Sequence, residues 1–194
     1  ANIGLKYGIG SNRTKLSNKD LQQVIDAADK AGICMIDTAQ AYDSSEARLG
    51  SVIQPHFKII TKIGVGLEQN YFENAVLELI QGSLKRLDLR HLHCVLVHRP
   101  ELLMSANGSQ IIAELRKLQE MGLIHKIGVS IYSPEILETI SKLMKLDIVQ
   151  VPFNLLDQRI VLSGWADRLK RDGTEIHARS IFLQGLLLTQ QKEL

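Results

Sequence analysis

Four side chains, Asp37, Tyr42, Lys62 and His98, have the types and the placement for moving a proton to or from an oxygen atom. Asp37 closes the apolar stretch "ICMID", and Tyr42 follows it in the turn before a helical pattern. Lys62 stands near the end of "FKIITKI", and His98 ends "HCVLVH". A phenol, with a pKa of about 10, is a poor acid at neutral pH, but a buried ammonium beside it favours the phenolate and brings it toward the working range. A carboxylate beside that lysine keeps it charged where burial would neutralise it. The imidazole can hydrogen-bond the reacting oxygen. Together the four would protonate or deprotonate an oxygen whose carbon exchanges a hydride.

Each of the four has an ordinary reading when taken alone. An aspartate before a helix is usually a turn former, a strand-end lysine a solvated charge, a loop tyrosine a packing aromatic and a rim histidine a satisfied one. What favours catalysis is their joint position at the ends of three successive strands, since the C-terminal rim of a parallel sheet is where such proteins place their chemistry.

The elements that must position them follow from hydrophobic periodicity. Strands are expected at 33–37, 57–63, 93–98, 126–131, 148–153 and 175–182, and helical patterns at 17–31, 44–53, 70–87, 109–121, 134–144 and 162–171. The first helix carries Leu21, Val24, Ile25 and Ala28 at helical spacing, with Ser17 or Asn18 as its N-cap and Gly32 as its stop. The helix after the fourth strand opens with Pro134 behind Ser133. Strict βα alternation with short connections predicts a parallel sheet covered by helices.

Two architectures satisfy this alternation. A doubly wound sheet usually carries a glycine-rich phosphate loop between its first strand and helix. Here Gly4, Gly8 and Gly10 precede a polar segment instead, which reads as a turn-rich rim loop. A nucleophile elbow fails as well, because Tyr132 stands where "GVSIYS" would need glycine. A barrel would gather Asp37, Lys62, His98, Ser130, Gln150 and Ser180 around one mouth.

Composition narrows the function classes. With 194 residues, 45% of them hydrophobic, the chain can bury a sizeable core. Lys and Arg number 23 against 21 Asp and Glu, a net charge of +2 with no long run of one sign, so a nucleic acid or an anionic membrane is not indicated as partner. Apolar runs are strand-sized and the N-terminal residues lack a signal pattern, which points to a cytoplasmic protein. Cys34 and Cys94 sit in apolar segments and read as reduced core residues. His91, His93, Cys94 and His98 cluster in sequence, but alternation puts the first two on the opposite pleat from the others, so no metal is expected. Met35, Met104, Met121 and Met144 read as core or rim filler, and Trp165 as a packing residue on a helix face.

The stretches "GICMIDTAQAYDSSEARLG", "KIITKIG", "SLKRLDLRHLHCVLVHRPE", "KIGVSIYSPEIL", "VQVPFN" and "ARSIFLQGLLL" occur in this order. In them the chain resembles an aldo-keto reductase, a family of NADPH-dependent (β/α)8-barrel enzymes that reduce carbonyls to alcohols. The resemblance implies that Asp37, Tyr42, Lys62 and His98 form the catalytic tetrad, with the tyrosine as general acid, the lysine and aspartate as its tuning pair and the histidine as the orienting group. It further implies that Ser130 and Gln150 hold the nicotinamide carboxamide, and that Ser180, Phe182 and Gln184 lie along the pyrophosphate. Ile131 stands where many members have Asn, and Arg179 where an aromatic commonly stacks on the nicotinamide.

The expected fold is therefore an α/β TIM-type barrel, incomplete in this chain, with its second to seventh strands visible and the first and eighth missing. Residues 1–194 are expected to form a single barrel domain shortened at both ends, since such barrels need about 250 residues. The cofactor is NADPH, with NADH left open, and the partner is a small-molecule carbonyl, with a sugar-like one preferred. The "NRTK" and "HRPELLMSAN" segments are the candidates for specificity. The rival reading is a reductase-like barrel that binds a nucleotide and regulates a partner, and the intact tetrad argues against it.

Overall fold

In a computed structural model, residue 3 and residues 16–64, 67 and 72–188 are described. The turn-rich segment with Gly4, Gly8 and Gly10, the "NRTK" segment and the first residues of the third expected helix lie outside them. Six strands, β1 (Met35–Asp37), β2 (Lys58–Ile63), β3 (Leu92–Val97), β4 (Ile124–Ser130), β5 (Ile148–Pro152) and β6 (Glu175–Arg179), form one sheet in sequence order. All five pairings are parallel. Between them run α1 (Asn18–Lys30), α2 (Ser45–Gly50), α3 (Ala75–Leu87), α4 (Gly108–Glu120), α5 (Leu137–Leu143), α6 (Arg159–Leu162) and α7 (Trp165–Arg171). The arrangement is a curled part of a (β/α)8 barrel, and β1 and β6 each pair with one neighbour among the described residues.

Near-continuous apolar strands are needed because both sheet faces are covered. Ile59, Ile63, Val95, Val97, Ile127, Val129, Val149 and Val151 join the large core beneath the helices. On the other pleat Ile60, Cys94, Leu96 and Ile148, with Met35 against them, fill the concave interior. Gly128 belongs to this inner pleat, and a Cβ there would stand 2.1 Å from the Ile148 carbonyl oxygen and 2.7 Å from Leu96 Cδ2. Only glycine lets β4 and β5 approach so closely while Leu96 occupies the interior.

Local chemistry sets the element ends. Ser17 is the N-cap of α1: its hydroxyl accepts from the Asp20 N–H at 3.1 Å, and Asp20 accepts from the Ser17 N–H at 3.3 Å. The helix after β4 begins as a 3₁₀ turn over Pro134–Ile136 before α5. The helix expected at 162–171 starts later, as α7, behind Gly164 with φ 77°, and a separate short helix, α6, precedes it.

Two expectations need correction at the sheet edges. Cys34 is exposed rather than a core residue, and Ile33 is 51% exposed, because β1 pairs with β2 alone among the described residues and its ladder begins where the Lys58 N–H meets the Cys34 carbonyl. The sixth strand stops at Arg179, not at 182, because Ser180 turns to φ 58°. Cys94 and Trp165 are buried as read, whereas Met104 and Met121 are exposed. No helix among the described residues is long and apolar enough to cross a membrane.

Candidate active site

Alternation along the strands points Asp37, Lys62, Ser130, Gln150 and Arg179 into the concave interior at its C-terminal end. Lys62 is 2% exposed, and its Nζ donates to both carboxylate oxygens of Asp37, at 2.6 and 2.7 Å, and to the Thr38 carbonyl at 2.9 Å. All three ammonium protons therefore have an acceptor. Burial pulls the Lys62 pKa below its ordinary value, the Asp37 charge and hydrogen bonds oppose that pull, and the Arg179 guanidinium adds to it.

Tyr42 lies in the loop between β1 and α2, with its ring centroid 5.3 Å from Lys62 Nζ. Gln40 anchors this loop by donating to the Leu79 carbonyl and to Ser83 Oγ, both at 2.8 Å. His98 follows β3, held by its N–H on the Ile63 carbonyl at 2.8 Å, and its ring meets that of Tyr42 edge to face at 6.0 Å. Burial and then the Lys62 charge depress its pKa below the usual histidine value, outweighing Asp37, so the ring is neutral at pH 7. No hydrogen bond to the ring comes from another described residue.

The expected cofactor residues divide into two groups. Ser130 and Gln150 are buried at the end of β4 and β5, and Ser130 Oγ donates to Gln150 Oε1 at 3.3 Å. Gln150 Nε2 donates to Asp37 Oδ1 at 2.9 Å, joining the amide to the ion pair across 113 residues of sequence. Arg179 lies at the end of β6 and donates to the Ile131 carbonyl at 3.0 Å and to Ser180 Oγ at 3.4 Å. Its guanidinium also stacks 4.4 Å from the ring of Tyr132, while its buried Nε has no hydrogen-bond partner among the described residues. Ser180, Phe182 and Gln184 stand apart on the rim, with Phe182 and Gln184 exposed and Ser180, Leu183 and Gln184 at φ 58°, 47° and 58°. Asn154 ties this rim to β5 by donating to the Ser180 carbonyl at 3.2 Å.

Sequence reading missed three supporting features. Tyr132, noted only for breaking an elbow motif, is the aromatic partner of Arg179. Behind β2, buried Glu46 accepts from Thr61 Oγ1 at 2.6 Å and from Arg86 Nε at 2.7 Å. A glutamate on the helix directly after the Tyr42 turn was a readable signal, but its partners were not. Gln40 was the third.

The Aldo/keto reductase family model matches residues 4–194. The chain belongs to the aldo/keto reductase family. It is 31% identical over 150 residues to aldo-keto reductase YhdN of Bacillus subtilis, covering 71% of this chain and 45% of that protein. It is 28% identical over 191 residues to D-arabinose 1-dehydrogenase of Saccharomyces cerevisiae, covering 88% and 57%. Among solved structures, the holo form of aldo-keto reductase AKR11C1 from Bacillus halodurans superposes with a TM-score of 0.75 at 20% identity, covering 95% of this chain and 64% of that one. A Gox0644 mutant in complex with NADPH gives 0.71 at 21% identity, covering 92% and 64%. These two structures bear on the fold alone. The chain spans about half the length of the curated relatives it matches.

Proposed function

We propose that this protein reduces an aldehyde or ketone to an alcohol with NADPH, and that Tyr42 supplies the proton. The observation that carries the reading is the buried Lys62 ammonium, closed on one side by Asp37 and facing the Tyr42 ring at 5.3 Å. A fixed cation beside a phenol stabilises the negative charge left when the proton departs, so the hydroxyl can serve as general acid at neutral pH. Neutral His98, beside the Tyr42 ring, offers an N–H to the carbonyl oxygen and fixes its direction without competing as a proton donor.

The residues present suit a nicotinamide cofactor. Ser130 and Gln150 offer hydroxyl and amide groups for a carboxamide, and Arg179 has a buried Nε with no hydrogen-bond partner among the described residues. Ser180, Phe182 and Gln184 line the rim that would follow the pyrophosphate, where left-handed backbone at Ser180 and Gln184 shapes the turn. Bound there, the cofactor supplies the hydride to the carbonyl carbon. Gln150 would have to share its amide between Asp37 and the carboxamide, which links cofactor binding to the ion pair.

A relative named D-arabinose 1-dehydrogenase and another named methylglyoxal reductase DkgB, from Yersinia pestis, favour a small, polar carbonyl. A cytoplasmic location and a sugar-like substrate belong to the same reading. Steady-state oxidation of NADPH with a panel of aldehydes and keto sugars tests it. Carbonyl-dependent consumption is expected. Tight NADPH binding with no consumption by any carbonyl would overturn it in favour of a nucleotide-binding regulatory module.

A further inference from the structure

The opposite end of the sheet holds a second concentration of function-capable side chains. A cavity of about 240 Å³ lies at the N-terminal ends of β2, β3 and β4, lined by residues 55–59, 89–91, 93 and 125. Four of the six histidines of the chain, His56, His91, His93 and His125, line it together with Lys58 and Arg90. No carboxylate lines it among the described residues. Acidic and basic residues are nearly balanced over the whole chain, at 21 and 23, so this is a local segregation of charge.

The nearby carboxylates are already engaged. Asp29 holds His56 at 2.9 Å, and Glu175 pairs with Lys126 and, at 3.3 Å, with His177. Among the described residues Lys58, Arg90, His91, His93 and His125 have no carboxylate partner. His91 and His125 instead lie against each other, with ring centroids 4.4 Å apart and planes tilted by 48°. Half-buried His93 is held below its usual pKa by burial and by the ammonium groups of Lys126 and Lys58, which together outweigh the opposing charge of Glu175. An anion seated among these groups would reverse the Coulombic part of that penalty.

We propose that this basin is an anion site for a phosphate group, free or carried on a compact ester, on the face opposite the candidate active site. A guanidinium, an ammonium and several imidazoles around one cavity can share out the four oxygens of a multiply charged tetrahedral anion, each of which accepts more than one hydrogen bond. The volume sets the upper size of the occupant, because pockets for drug-sized ligands start at about 300 Å³. No three of the groups converge as metal ligands among the described residues. The assignment stands independently of the reaction at the other end of the barrel.

Isothermal titration with inorganic phosphate and, separately, with glycerol phosphate tests the site, at constant ionic strength set by chloride. Saturable binding of either probe is expected: phosphate alone identifies a free-ion site, the ester alone an esterified ligand. Arg90→Glu should weaken that binding at least tenfold and His125→Gln several-fold, with carbonyl-dependent NADPH oxidation unchanged. Should Arg90→Glu fail to fold, Lys58→Gln at an exposed position gives the same reading. Absence of saturable binding, equal binding by the variants, or a response to the polyanion heparin but to neither probe would overturn the proposal.

Discussion

Lys62 Nζ lies 2.6 Å from Asp37 Oδ1 with the lysine side chain 2% exposed and the aspartate 36% exposed. The cation is thus enclosed while its counter-ion keeps a face toward the mouth. This asymmetry lets a ligand at the mouth reach the carboxylate side of the pair without hydrating the lysine. It also fixes the sign of the pH dependence. The folded state lowers the Lys62 pKa below its unfolded value, so between the two the unfolded chain binds more protons and stability rises with pH. Asp37→Asn removes the charge that opposes burial, so the depression deepens and the window widens. Chemical denaturation from neutral to alkaline pH should show a rise that starts at lower pH and is larger in total for Asp37→Asn than for the parent, and no such contribution in Lys62→Met. Equal pH profiles in all three would contradict the electrostatic account.

His98 gives a second titration. Its folded pKa lies below the usual value through burial first and the Lys62 charge second, so this group costs stability as pH falls from the unfolded value toward the folded one. NMR titration of the ring should place its midpoint below that of an exposed histidine. In Lys62→Met the midpoint should move up part of the way, since burial remains.

Gly128→Ala tests the close approach of β4 and β5. A methyl group 2.1 Å from a main-chain oxygen cannot be absorbed by a side-chain rotation, and strands must separate. A loss of about 1–3 kcal/mol, the usual range for overpacking, is expected by denaturant titration. An unchanged midpoint would show that the sheet has slack at this point.

Glu46 is buried against Thr61 and the partly exposed Arg86. Arg86→Met leaves the buried carboxylate with Thr61 but without its cation, and because Arg86 itself is 43% exposed the expected loss is about 1–3 kcal/mol, the cost of an under-satisfied buried acceptor rather than of a fully buried pair. Glu46→Gln with Arg86→Met should recover part of that loss. A double-mutant cycle with no coupling would remove the pair from the account.

The legibility of this protein in its sequence followed chain distance. Strands β2 to β5 lie within two residues of their expected bounds because period-2 alternation and strand-length apolar runs are local signals. Edges were less legible: Cys34 and Ile33 look like core in sequence, but they precede a strand with one neighbour among the described residues and are exposed. The Gln150 to Asp37 bond, the Arg179 stack on Tyr132 and the Glu46 network join residues far apart in the chain, and no spacing rule announces them. Asp37, Lys62 and His98 were readable as strand-end residues and Tyr42 as a residue of the turn after the first strand, and the structure has them there. Their common neighbourhood required the fold.

The central claim is that the phenol of Tyr42 delivers the proton at this mouth. Its most direct measurement is carbonyl-dependent NADPH turnover in Tyr42→Phe beside the parent, with NADPH affinity followed by fluorescence on the same samples. Loss of one rim hydroxyl should lower turnover by about 10²- to 10⁴-fold, the range for a positioned general acid, while cofactor affinity stays within about twofold. Parental turnover in a folded Tyr42→Phe protein would contradict the assignment.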